Sequence, residues 1–191
     1  MDFSIANGWL EQARQCESPN FGERPPGSEI DLLVLHSISL PPGQYGGGEV
    51  ERFFCNALDP AEHAYFATIA ELRVSAHLFI DRQGEVVQFV DFDKRAWHAG
   101  RSSYQGREEC NDFSIGIELE GTDTDTFEPA QYETLAAVCA ALIRSYPALS
   151  ADRIAGHSEV APGRKFDPGV GFDWDKFRQL MNARLFMSAR L

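Results

Sequence analysis

Long apolar runs are missing from this chain: none approaches the roughly 20 residues of a membrane-spanning helix, and insertion into a bilayer is not expected. The first residues, Met1-Asp2-Phe3-Ser4-Ile5-Ala6-Asn7, hold neither the basic patch nor the apolar core of a secretory signal, so a cytoplasmic location is expected. Cysteines are few and never paired as CxxC. Cys16, Cys55, Cys110 and Cys139 are scattered among apolar neighbours, which suits free thiols in or near a core and disfavours a disulfide framework or a thiolate metal site. Positive charge is also scarce, with 17 Lys and Arg against 29 Asp and Glu, a net charge of −12. Such a balance argues against nucleic acid, whose phosphates demand a basic face. There is no repeat, low-complexity tract or linker, so residues 1–191 read as one domain, expected to act as a monomer.

What is present begins with local charge. Lys94, Arg95, Arg101 and Arg107 fall in one short stretch, and Arg164-Lys165 form a second group. Cations gathered on an acidic protein suit the steering of a small anionic ligand, or simply a mixed solvated surface. A short amphipathic helix is expected over residues 9–15, followed by a Pro/Gly-rich connection over 18–28. The apolar run Ile30-Asp31-Leu32-Leu33-Val34-Leu35 suits a buried strand ending at His36. Residues 40–48, rich in proline and glycine, read as a long surface loop. Helices over 50–58 and 61–72 precede a hairpin of 74–80 with 85–90, turned by Asp81-Arg82-Gln83-Gly84. Residues 113–119 form a further strand, and a helix spans 129–146 with Thr126 as its cap and Pro129 in its first turn. A short strand over 153–156 leads to His157, and a last helix runs from 173 to 185. The order predicts an α/β (α+β) fold with a central mixed β-sheet flanked by helices.

Five histidines occur. His63 reads as structural or at the surface. His36 stands out because it ends a buried strand before a glycine-rich loop, where sites assemble in sheet-plus-helix folds. His157 opens a polar, turn-rich segment that also holds Lys165 and Asp167 within eleven positions. Two imidazoles and one carboxylate suit a catalytic zinc with an open fourth position. The helical HExxH of many zinc peptidases is absent, which counts against that class.

Several stretches resemble the AmpD family of N-acetylmuramoyl-L-alanine amidases, related in fold to phage lysozyme-type amidases and peptidoglycan-recognition proteins. They are His36-Ser37-Ile38-Ser39-Leu40-Pro41-Pro42-Gly43, Leu72-Arg73-Val74-Ser75-Ala76-His77, Phe92-Asp93-Lys94-Arg95-Ala96-Trp97-His98-Ala99-Gly100, Ser102-Ser103-Tyr104-Gln105-Gly106-Arg107, Cys110-Asn111-Asp112-Phe113-Ser114-Ile115-Gly116-Ile117-Glu118-Leu119-Glu120-Gly121 and Ala161-Pro162-Gly163-Arg164-Lys165. The resemblance runs in order over nearly the whole chain. It implies zinc (Zn2+) held by His36, His157 and Asp167, with Glu118 and Lys165 catalytic. It also implies a muropeptide substrate cut between N-acetylmuramic acid and L-alanine, with a preference for the 1,6-anhydro sugar released in cytoplasmic cell-wall recycling. Loss of such an enzyme would let muropeptides accumulate that induce β-lactamase.

Softer expectations concern substrate contacts. Trp97 and His98 suit a platform for a sugar face, Arg164 suits a peptide carboxylate, and Ala161 and His77 join them as substrate-binding candidates. His77 in mid-strand suits a structural or supporting role equally well. Ser37, Glu109 and Phe166 depart from the family pattern of asparagine, arginine and threonine, and none of the three removes a catalytic residue. A muropeptide-binding module without catalysis is the rival reading; such modules lose a zinc ligand, and this chain keeps all three.

Overall fold

The computed structural model describes residues 2–188. Its centre is built where the sequence packs apolar residues most densely. Six strands, β1 (Arg14–Gln15), β2 (Leu32–Ile38), β3 (Leu78–Ile80), β4 (Val86–Gln88), β5 (Ser114–Glu120) and β6 (Ile154–Gly156), form one sheet in the order β6-β2-β5-β3-β4-β1. Neighbours are parallel except the β3–β4 hairpin. The helices are α1 (Glu49–Phe54), α2 (Ala64–Ile69), α3 (Pro129–Ser145), α4 (His157–Val160) and α5 (Trp174–Ser188). A mixed sheet flanked by helices is therefore the architecture. Among the described residues no helix is long and apolar enough to cross a membrane.

The sheet's two faces do different work. Leu33, Leu35, Ile115, Ile117 and Leu119 join the main core with residues of α3 and α5. Because side chains alternate along a strand, the even-numbered positions of β2 and β5 face the other way. There the apolar cover is split. Phe79 and Val87 pack with residues of α1 and α2, while Leu32 and Val34 pack with Phe113 and Val160. Between these two smaller clusters the sheet lies open, and β2 and β5 present His36 and Glu118 side by side in register.

The N-terminal segment corrects an expectation. Residues 9–15 do not form a helix: Ile5–Ala6 pairs antiparallel with Trp9–Leu10, and Arg14–Gln15 joins the sheet edge. The cause is Asn7-Gly8, whose φ values of 51° and 79° make the left-handed pair of a tight hairpin turn. A Cβ on Gly8 would lie 1.9 Å from Asp91 Oδ1. The cap of α3 is also corrected from Thr126 to Glu128. Its backbone N–H donates to Gln131 Oε1 at 3.0 Å, and Gln131 Nε2 donates to the Glu120 carbonyl at 3.0 Å, tying the helix to the end of β5. Both helices after the 40–48 loop are shorter than expected. Asn56 turns left-handed just beyond α1, and His63 caps α2 by accepting the Tyr65 N–H at 3.1 Å.

The cysteines remain thiols, two of them buried. Cys16 and Cys55 meet, with sulfurs 3.3 Å apart, a pairing that their separation in sequence does not suggest.

Candidate active site and metal centre

A cleft of about 410 Å³ opens between the two smaller clusters. His36 comes from β2, Glu118 from β5, His157 from the first turn of α4, and Lys165 and Asp167 from the turn-rich segment beyond it; all five line the cleft. Their convergence follows from the parallel order β6-β2-β5, which brings the C-terminal ends of three strands together. The segment after α4 is folded back by hydrogen bonds. Arg164 N–H and Lys165 N–H both donate to the Ala161 carbonyl at 3.1 Å, and Ser158 N–H donates to the Asp167 carbonyl at 2.9 Å.

Three ligand-type atoms converge here. His36 Nδ1 and His157 Nδ1 lie 2.9 Å apart, and Asp167 Oδ2 lies 3.2 Å from the first and 3.0 Å from the second. Among the described residues this is the one group of His, Cys, Asp and Glu arranged to hold a metal ion. Hydrogen bonding sets what these atoms offer. His157 Nε2 lies 3.1 Å from the Ala99 carbonyl, which only accepts, so the proton sits on Nε2 and Nδ1 turns a lone pair inward. Burial pulls the His36 imidazole down to about 4, outweighing the opposite influence of Asp167. Ring-nitrogen lone pairs and a carboxylate facing one point repel one another unless a cation lies between them. The donor set fits a divalent metal of zinc's preference.

Glu118 supplies a second sign of fitness. It is 9% exposed, and its Oε2 is buried without a hydrogen-bond partner. Burial, with Asp167 adding, holds its carboxyl well above the usual carboxylate range, while Lys165 opposes the shift. A buried carboxyl with an unpaired oxygen at the floor of a cleft is poised to exchange protons.

The expected substrate contacts divide. Trp97 is half-buried and lines the cleft. Arg164 also lines it, with Nη2 donating to the carbonyls of Ala99 and Arg101 at 2.6 Å. Arg164 borders a second recess of about 520 Å³ as well, and Ala161 lines that recess rather than the main cleft. His77 corrects the expectation of a substrate contact. It is 0% exposed and does not line the cleft. Gly116 N–H donates to its Nδ1 at 3.0 Å, and its Nε2 reaches the Lys94 carbonyl at 3.0 Å. Burial and then the Arg24 guanidinium hold its imidazole down to about 3. It is a neutral brace between strands. His98 does line the cleft, yet both ring nitrogens are engaged, Nδ1 3.0 Å from His36 Nε2 and Nε2 3.2 Å from Ser114 Oγ.

Sequence reasoning missed Glu120. It is buried, and its Oε1 accepts the Gly46 N–H at 2.6 Å while Oε2 accepts the Arg82 N–H at 3.2 Å. The 40–48 loop is thereby pinned to β5, helped by the Tyr45 hydroxyl on Asp125 and by Arg82 lying 4.7 Å from the Tyr45 ring centre. Its position two residues beyond Glu118 was the available signal. Of the three departures, Ser37 and the 68%-exposed Phe166 line the cleft beside the chain positions of His36 and Asp167, whereas Glu109 lines the second recess and places Oε2 3.3 Å from Arg95 Nη2.

Comparison with known proteins gives the chain's relatives. Residues 26–170 match the N-acetylmuramoyl-L-alanine amidase family. The chain is 59% identical over 174 residues to the 1,6-anhydro-N-acetylmuramyl-L-alanine amidase AmpD of Salmonella typhimurium (strain SL1344), covering 91% of this chain and 92% of the relative. A crystal structure of a selenomethionine AmpD derivative superposes with a TM-score of 0.90 at 58% identity, covering 92% of this chain and 98% of that one. The amidase AmiD of Escherichia coli, solved with anhydro-N-acetylmuramic acid-L-Ala-D-γ-Glu-L-Lys, has a TM-score of 0.58 at 25% identity, covering 93% of this chain and 65% of that one. With a matching sheet, a cleft floored by Glu118 and a His36–His157–Asp167 cluster at its end, the chain belongs to the N-acetylmuramoyl-L-alanine amidase family.

Proposed function

We propose that the protein is a zinc-dependent amidase that hydrolyses the bond between 1,6-anhydro-N-acetylmuramic acid and L-alanine of small muropeptides. The observation that carries this reading is the trio of inward-facing ligand atoms beside the unpaired Glu118 Oε2. When bound by His36, His157 and Asp167, zinc supplies Lewis-acid chemistry, polarising the amide carbonyl and acidifying water. Glu118 takes a proton from the attacking water and delivers it to the departing L-alanine nitrogen. Water's oxygen ends on the lactyl carbon, the C–N bond breaks, and the two products are a free acid and a free amine. The Lys165 ammonium faces the cleft and offsets the negative charge that develops on the carbonyl oxygen. Trp97 would offer a flat apolar surface to the sugar, and Arg164, which lines both recesses, would take a peptide carboxylate; their lining of the cleft supports this reading.

In this reading the enzyme acts on cytoplasmic recycling intermediates, and its loss leaves muropeptides that induce β-lactamase. The test combines metal analysis with turnover. Purified protein should hold about one zinc per chain and release the peptide from anhydro-muropeptide faster than from its non-anhydro counterpart. Equal rates would remove the anhydro preference, and no release from either would remove the activity.

Two variants probe the cleft. Lys165→Ala should lower kcat on the order of 10²-fold, the worth of a well-placed charge at a developing oxyanion, with zinc content unchanged. A near-normal kcat would place Lys165 outside the chemistry. Glu109→Arg should behave differently. Its carboxylate is 55% exposed and already beside Arg95, so the change in KM should stay within about fivefold at low salt, the range of an exposed ion pair. A larger fall in KM would show that Glu109 repels the substrate directly.

A further inference from the structure

His98 was expected to meet substrate, but its surroundings describe another task. The ring stands between His36 and Ser114, with His36 Nε2 3.0 Å from Nδ1 and Ser114 Oγ 3.2 Å from Nε2. Ser114 is fully buried, and its hydroxyl donates to the Cys110 carbonyl at 2.5 Å. That carbonyl fixes the direction of the series, because it has no proton to give. With the Ser114 proton committed to Cys110, Oγ offers a lone pair to His98, whose proton must then sit on Nε2. His98 Nδ1 is left bare and accepts a proton from His36 Nε2–H. His36 Nδ1 is left bare in turn, beside His157 Nδ1 and Asp167 Oδ2.

The fold makes room for this arrangement. A Cβ on Gly116 would lie 2.4 Å from His98 Cγ, so the ring occupies space that only glycine leaves free. Asn111 Oδ1 accepts the backbone N–H groups of both His98 and Ala99, at 3.2 and 2.8 Å. One side chain thus seats the residue that faces His36 and the carbonyl that faces His157.

We propose that His98 and Ser114 are positioning residues that fix the tautomer of His36, so that its Nδ1 is held ready as a metal ligand. This rests on the reading of His36, His157 and Asp167 as a zinc site. In the series Cys110 carbonyl–Ser114–His98–His36, every proton points away from that site. Removing a link frees His36 to place its proton on Nδ1, the form that cannot bind metal. Outer hydrogen bonds of this kind are worth about 10–100-fold in metal affinity.

The experiment measures zinc affinity by competition with a chromophoric chelator for wild type, Ser114→Ala, Ser114→Thr and His98→Ala, with the melting temperature of each metal-free protein as a control for folding. Ser114→Ala, which removes one buried oxygen, should weaken zinc binding about 10-fold or more while the metal-free protein melts near wild type. His98→Ala should weaken it at least as much, and Ser114→Thr, which keeps the hydroxyl, should restore affinity. The visible spectrum of the cobalt-substituted protein should change in Ser114→Ala and not in Ser114→Thr. Unchanged zinc affinity in both alanine variants, with only KM raised in His98→Ala, would overturn the proposal and return His98 to substrate contact. Absence of zinc binding by the wild type would instead overturn the metal site itself.

Discussion

Asp167→Ala should leave a folded protein that no longer retains zinc and no longer turns over muropeptide. Asp167 provides the one carboxylate of the cluster, and without it two imidazoles remain, their Nδ1 atoms 2.9 Å apart. Metal contributes several kcal/mol of transition-state stabilisation in hydrolases of this kind, and each 1.36 kcal/mol is tenfold in rate. The loss of kcat should therefore be about 10³-fold or greater. The binding of metal to the folded state also stabilises it by mass action, so added zinc should raise the melting temperature of wild type and leave the variant unmoved. Stoichiometric zinc in purified Asp167→Ala would remove Asp167 from the ligand set.

The second large effect separates chemistry from metal binding. Glu118→Gln keeps the shape of the side chain and takes away its capacity to exchange a proton. Zinc content should stay at wild-type level while kcat falls by about 10²–10⁴-fold, the usual worth of a positioned acid/base. Stability should move the other way or not at all. Burial already disfavours ionisation of this carboxyl, and any ionised fraction, with Oε2 unpartnered, costs the fold desolvation that a neutral amide avoids. The metal-free variant should therefore melt no lower than wild type. A near-normal kcat would reduce Glu118 to a wall of the cleft.

How much of this was readable in advance depends on whether the signal is local. The run from Leu32 to Leu35 announced a buried strand because both its faces are covered, and such strands lose the alternation of half-exposed ones. Pro129 marked the first turn of its helix, although the cap proved to be Glu128 rather than Thr126, and the hairpin through Gly84 carried its own turn. At the N-terminus, Trp9 and Leu10 looked helical because their spacing outweighed Asn7-Gly8, although that pair reverses the chain. The side chains of the candidate metal site were legible as residue types, and resemblance then suggested their roles. What the sequence hides is direction. Nothing local says that His77 turns into the sheet while His98 turns toward His36, or that Glu120 holds a loop. Those outcomes depend on partners 39, 62 and 74 residues away in the chain.

The alternation along β5 has a consequence for how this gene can be edited. Ser114, Gly116, Glu118 and Glu120 share one face, where they hold His98, admit its ring, floor the cleft and pin the loop. Ile115, Ile117 and Leu119 share the other, in the main core. Inserting or deleting a single residue early in the strand would exchange the two sets, pushing two carboxylates under α3 and turning three apolar side chains into the cleft. A change of two residues would spare the faces yet slide Glu118 past His36 by about 6.6 Å, at roughly 3.3 Å per residue. The strand thus behaves as a reading frame of its own: an exchanged letter is felt at its own position, but a change of length, even or odd, is felt along the whole strand.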